Sequence, residues 1–146
     1  MDVKICKLSE NAVIPTYAHP GDAGMDVVAT SVNVTDDYIE YGTGLSFEVP
    51  EGYCMLIFPR SSNSKKDLIL ANSVGILDST YRGELKLRFK KCYQPVIYGL
   101  VAKTIYDVGD KVGQIMILPY PQINFTEVDF LSETERGDGG FGSTGN

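Results

Sequence analysis

The chain is poor in the residues that build metal cages. It has one histidine, His19, and three cysteines, with no Cys-x-x-Cys pair, which argues against a structural zinc site. Cys6, Cys54 and Cys92 are odd in number and scattered, so they read as reduced thiols of an intracellular protein, cytoplasmic for a bacterial source. A hard cation held through carboxylates and phosphates stays open. No apolar run approaches the roughly 20 residues that a membrane helix needs. The first eight residues lack the basic-then-apolar order of a secretory leader, and no membrane partner is expected. Basic residues are also scarce: 13 Lys and Arg stand against 19 Asp and Glu, for a net charge of −6. A binder of long DNA or RNA needs a basic face, because phosphate contacts supply most of its affinity. The nearest approach is Lys86, Arg88 and Lys90, which alternate with Leu85, Leu87 and Phe89 and read as the solvated face of a half-buried strand. Long nucleic acid is therefore disfavoured as a partner, whereas one small nucleotide held by a few cations is not.

Helical periodicity is nearly absent, and alternation of period two takes its place. At 146 residues and 43% hydrophobic content, the chain is long enough for one domain with a sizeable core. The pattern predicts strands over residues 3–8, 44–49, 53–58, 83–90, 96–102 and 112–118. Turn signals separate them at His19-Pro20, Pro50-Glu51-Gly52, Asn72-Ser73, Gln94-Pro95, Gly109-Asp110 and Tyr120-Pro121. Many short strands at this spacing imply an all-β antiparallel sandwich, barrel or jelly roll. One helical turn is expected over residues 60–67, with Ser61 or Ser62 as its cap. Beyond about Leu131 five of the last eleven residues are glycine, so a barrel over 1–131 and a mobile arm over 132–146 are expected.

The richest segment is Gly75-Ile-Leu-Asp-Ser-Thr-Tyr-Arg-Gly-Glu84, which sets the Asp78 carboxylate and the Tyr81 phenol on a glycine-bounded turn. Taken alone, Asp78 could be a turn residue and Tyr81 a strand aromatic. Their neighbours raise both: Asn72 can read the donor and acceptor pattern of a base edge, and a hairpin opened by Gly75 lets backbone groups approach a flat ring. Arg60-Ser61-Ser62 offers a cation and two hydroxyls to a phosphate, without the Gly-x-x-x-x-Gly-Lys-Ser/Thr pattern of a P-loop. Asp26 follows a Gly-rich turn at the start of a strand and is either a strand-edge residue or a partner of a magnesium-bound water. Gln114 is either part of a plain strand or an amide donor. The tail, with Arg136, Phe141, Ser143 and Thr144, is either a frayed terminus or a source of a stacking ring and phosphate donors.

In content and order these five segments resemble the five motifs of the trimeric dUTP pyrophosphatase (dUTPase) family: residues 23–27, 59–62, 72–84, 109–116 and 136–145. The third and fifth are the most specific. The resemblance implies a jelly-roll-like, distorted β-barrel in a homotrimer whose active sites are shared between subunits, with the arm closing over a neighbour's site. It implies hydrolysis of dUTP to dUMP and pyrophosphate with Mg2+ as cofactor. Asp78 would be the general base that activates water, and Tyr81 would lie under the deoxyribose. Asn72 and the backbone of Gly75, Ile76 and Leu77 would read uracil. Arg60, Ser61, Ser62 and Gln114 would hold phosphates, and Asp26 would steer magnesium through water. From the arm, Phe141 beside Gly142 would stack on the base, while Arg136, Ser143 and Thr144 would hold the γ-phosphate.

Four places depart from the commonest family pattern: Asn63-Ser64, Thr80, Lys111 and Gly113. None removes a group assigned a chemical role. Three rival readings stand beside this one. A dCTP deaminase of the same fold would need a catalytic glutamate in place of Asp78 and would lack the Tyr81 pattern. A non-catalytic trimeric nucleotide-binding regulator would not need both Asp78 and the arm. A purely structural jelly roll predicts no nucleotide affinity.

Overall fold

Alternating burial builds the strands of the computed structural model, which describes residues 1–92 and 104–140. In chain order these are β1 (Lys4–Lys7), β2 (Met25–Val28), β3 (Ser31–Val34), β4 (Ile39–Gly42), β5 (Leu45–Glu48), β6 (Tyr53–Phe58), β7 (Leu68–Leu70), β8 (Gly75–Leu77), β9 (Lys86–Lys91) and β10 (Lys111–Pro119). A single 3-10 turn, Ser61–Lys65, joins β6 to β7, and no α-helix occurs among the described residues. It also follows that no helix there is long and apolar enough to cross a membrane. The strand expected over 96–102 and the turn at Gln94-Pro95 lie outside the described residues.

Every pairing is antiparallel. One four-stranded sheet has the order β2-β10-β6-β8, a second β3-β4-β9-β7, and β1 pairs with β5 in a two-stranded ribbon. All three contribute to one core. Val27, Met55, Ile57 and Ile115 come from the first sheet, Ile39, Tyr41, Leu87 and Phe89 from the second, and Leu45 and Phe47 from the ribbon. This is the all-β, jelly-roll-like architecture that the alternation implied. In β9, Leu87 and Phe89 are buried while Lys86, Arg88 and Lys90 are exposed, so the basic stripe is indeed the wet face of a strand.

An aromatic triad forms the core beneath the 3-10 turn. Tyr41 meets Phe89 and Tyr106 edge-on, each at 5.8 Å between ring centroids. The buried Tyr41 hydroxyl donates to the Tyr106 carbonyl (3.0 Å) and accepts from the Tyr106 amide (3.1 Å), and burial pushes its pKa up to about 12. The Tyr106 hydroxyl in turn donates to Asn63 Oδ1 at 3.0 Å, and Asn63 Nδ2 donates to the Leu68 carbonyl at 2.8 Å. The core thus clamps the turn that carries Ser61 and Ser62.

Two local expectations are corrected. The segment opened by Gly75 is not a hairpin, because β8 pairs with β6 (Met55 opposite Leu77) while β9 pairs with β4 and β7. Residues 78–85 instead carry the chain from one sheet to the other. Nor does Ser61 or Ser62 cap the turn over 61–65: Arg60 holds the N-cap position and makes no side-chain capping bond. The Ser62 hydroxyl is taken by Arg60 Nη1, which donates to it at 3.1 Å.

Candidate active site

Strand register gathers one half of the site. In the first sheet Gln114 of β10 lies opposite Asp26 of β2 on one side and opposite Phe58 of β6 on the other. Three residues distant in sequence therefore share one rung. Arg60, two residues beyond Phe58, reaches back so that its Nε donates to Asp26 Oδ1 at 2.7 Å. The second Asp26 oxygen meets Lys111 Nζ at 2.9 Å. Burial works against ionisation of Asp26, but the contacts and charges of Lys111 and Arg60 together outweigh it and hold the carboxyl below its usual value. Gln114 Nε2 donates to the Pro59 carbonyl at 3.0 Å, and Ser61 is exposed beside this cluster.

The other half is a cavity of about 460 Å3 whose walls include Asn72, Gly75, Ile76, Leu77, Asp78 and Tyr81. It is entered past exposed apolar groups: Ile76 is 67% and Tyr81 47% exposed. The turn before β8 is tight, with Ser73 at φ 59°, a left-handed conformation in a non-glycine residue, and the Val74 amide donating to the Asn72 carbonyl at 2.6 Å. After β8 the Tyr81 amide donates to the Asp78 carbonyl at 3.1 Å, closing a turn over 78–81. Arg82 Nη1 braces that turn by donating to the carbonyls of Ser79 (2.6 Å) and Tyr81 (2.9 Å). Asp78 is exposed, and it enters none of the ion pairs among the described residues.

The residues singled out by sequence therefore fall into two groups. The walls of the Asp78 cavity include none of Asp26, Arg60, Ser61, Ser62 or Gln114. Arg136 stands apart from both, exposed, with its Nε donating to the Gly139 carbonyl at 2.9 Å. Phe141, Gly142, Ser143 and Thr144 lie outside the described residues. Lys111, Arg82 and Ser73 were assigned no role from the sequence. Lys111 carried a signal, as a cation in the same short segment as Gln114. Arg82 and Ser73 act through backbone geometry, which residue type does not disclose.

A cavity bearing a carboxylate, a phenol and an amide, beside a separate cation-and-hydroxyl cluster, suits a base, a sugar and a phosphate chain. A family model described as dUTPase matches residues 10–145. The chain belongs to the dUTPase family. Similar dUTPases include the deoxyuridine 5'-triphosphate nucleotidohydrolase of Finegoldia magna, 40% identical over 150 residues and covering 99% of each chain. That of Clostridium tetani is 38% identical over 151 residues, covering 98% of this chain and 96% of its own. Among solved structures, a mutant dUTPase of Staphylococcus bacteriophage 80alpha with dUpNHpp is similar at a TM-score of 0.82 and 26% identity, with 99% of both chains covered. A mutant dUTPase of phage phi11 of S. aureus, which describes the coordination of a structural Mg(II) ion, is similar at a TM-score of 0.72 and 25% identity, covering 89% of this chain and 98% of that one.

Proposed function

We infer that this dUTPase-family chain is a dUTP diphosphatase, hydrolysing dUTP to dUMP and pyrophosphate. Such an activity keeps uracil out of DNA and supplies dUMP for thymidylate synthesis. The observation that carries the reading is the grouping of Asp78, Tyr81 and Asn72 on one cavity, with Asp78 outside every ion pair among the described residues. An uncommitted carboxylate can take a proton from water. The water oxygen attacks the α-phosphorus in line, Asp78 receives the proton, and the bond to the bridging oxygen breaks to release pyrophosphate. Such displacement needs positioning and charge neutralisation more than covalent help.

Tyr81 lies under the deoxyribose on this reading, where a 2′-hydroxyl finds no space. Asn72 and the backbone of Gly75, Ile76 and Leu77 read the uracil edge, and a mismatched base leaves buried polar groups unpaired. Arg60, Ser61, Ser62 and Gln114 hold the phosphate chain. For Gln114 this means exchanging the Pro59 carbonyl for a phosphate oxygen. Phe141 beside Gly142 stacks on the base, and Arg136, Ser143 and Thr144 take the γ-phosphate. The arm over 132–146 serves as a closing segment on a barrel of 1–131.

The donor set fits magnesium as an outer partner. Among the described residues no three His, Cys, Asp or Glu side chains converge, so a cage of protein ligands is not at hand. Asp26 alone, half-buried and ionised, suits a water of an ion carried by phosphates. When bound, magnesium would neutralise phosphate charge. The separation of the two halves within one chain supports a homotrimer in which each site draws on more than one copy. Three free thiols, at Cys6, Cys54 and Cys92, support a reducing, intracellular setting.

The test is pyrophosphate release with magnesium from dUTP, UTP, dTTP and dCTP compared side by side. Rapid turnover of dUTP alone is expected. Ammonia from dCTP would overturn the reading in favour of a deaminase, and no turnover of any of the four would overturn the enzyme.

A further inference from the structure

Gly83 is a glycine for reasons of space, not of backbone conformation. It is absent from the glycines with positive φ, so the chain direction there is open to any L-residue. What a side chain would meet is the ring two residues earlier. A Cβ on Gly83 would fall on the Tyr81 hydroxyl oxygen, 2.5 Å from Cζ and 3.0 Å from Cε2. The tip of the Tyr81 ring is thus folded back against Gly83, and its hydroxyl donates to the Glu84 carbonyl at 3.2 Å.

We infer that Gly83 is a positioning residue that seats the Tyr81 ring and thereby sets the discrimination between deoxyribose and ribose. The inference rests on the reading of Tyr81 given above. The backbone under Tyr81 is already fixed by the Asp78–Tyr81 turn bond and by the two Arg82 bonds, so the remaining freedom is that of the ring. Gly83 below and the Glu84 carbonyl at the tip define where it rests. Exclusion of one hydroxyl depends on a contact surface placed to within a fraction of an ångström, and a displaced ring opens the space that the hydroxyl needs.

Exposure determines how a substitution shows itself. Tyr81 is 47% exposed, so a methyl at residue 83 turns the ring aside instead of straining a packed core. Gly83→Ala should therefore fold with a melting temperature near that of the parent, lower kcat/KM for dUTP by about tenfold, and narrow the dUTP to UTP preference by a similar factor. Tyr81→Ala should narrow that preference as well. In the Tyr81→Ala background the alanine at 83 has no ring to displace, and its further effect should fall below about twofold, the non-additivity of two groups in contact.

The outcomes separate the two claims. If Tyr81→Ala leaves the dUTP to UTP preference intact, both the reading of Tyr81 and the role of Gly83 are overturned. If Tyr81→Ala relaxes the preference and Gly83→Ala does not, the role of Gly83 alone is overturned. Equal effects of Gly83→Ala in both backgrounds overturn it too, since they place the damage in the backbone. Should Gly83→Ala fail to fold, recovery of folding in the Tyr81→Ala/Gly83→Ala double variant supports the seat, and continued failure overturns it.

Discussion

The two halves of the site differ in what their charges are doing before any nucleotide arrives. On the phosphate side every strong group is already engaged: Asp26 holds Arg60 and Lys111, Arg60 also holds Ser62, and Gln114 holds Pro59. On the base side Asp78 is exposed and outside the ion pairs, and Ile76 and Tyr81 face solvent. On the proposed reading, phosphate binding is an exchange of partners, in which Arg60 gives up a carboxylate to gain an anion, and its net contribution is modest. The base side loses little on binding and covers apolar surface. On that reading selectivity rests with the half that carries Asp78, whose carboxylate begins outside the ion pairs.

The largest test of that contrast is Asp78→Asn, which keeps the shape of the base side and removes its proton acceptor. Turnover should fall by about 10²-fold or more, with dUTP binding by calorimetry largely intact. Near-normal turnover would remove Asp78 from the role of base. Deleting residues 136–146 should also abolish most turnover while the barrel melts as before, because β10 ends at Pro119 and residues 121–138 are exposed. Loss of folding would make the arm structural. Next is Arg60→Lys on the engaged side, expected to raise KM by about tenfold. A lysine ammonium lacks the rigid fork by which the guanidinium donates to Asp26 through Nε and to Ser62 through Nη1.

Two further changes probe the frame of the site, the second of them at Glu40 in the wall of the Asp78 cavity. In Gly113→Ala the new Cβ would meet Leu87 Cδ2 at 2.5 Å and the Phe58 carbonyl at 3.0 Å. A loss of about 1–3 kcal/mol is expected by chemical denaturation, and Leu87→Val should recover part of it. The smallest change at neutral pH belongs to Glu40→Gln. Glu40 of β4 stands opposite Arg88 of β9, and the hydrogen bond from Arg88, aided by Lys86 against burial, holds its carboxyl below the usual 4.5. A lowered folded value means stability present above about pH 4.5 and lost as pH falls through the folded value. The glutamine variant should show a flatter acid limb in melting experiments.

Several strands were legible in the sequence almost to the residue. The expected 53–58 coincides with β6, and 44–49 and 112–118 differ from β5 and β10 by a residue at each end. β3 is exposed and β4 buried at every position, so neither alternates in burial, and β7 and β8 have three residues each, too few for a period to declare itself. β4 also carries Glu40, a charge tolerated in a buried strand only because Arg88 and Lys86 answer it from the next strand. The mistaken hairpin has a similar cause. Residues 75–84 display their turn chemistry openly, but the partner of β8 is decided by which sheet needs an edge. Asp26, Arg60 and Gln114 were recognisable one by one, and their convergence depends on β10 pairing with both β2 and β6. The contact of Lys111 with Asp26 was not visible, because a register shift between Lys111 and Gly113 sets it.

The placement of β10 bears on how the chain comes to be folded during synthesis. It is the last strand among the described residues, yet it sits in the interior of its sheet between β2 and β6. Until residues 111–119 leave the ribosome, β2 has no neighbour in that sheet and β6 has only β8. Assembly of this layer therefore waits on β10, and a chain cut short before β10 presents unpaired strand edges of the kind that recruit chaperones or aggregate.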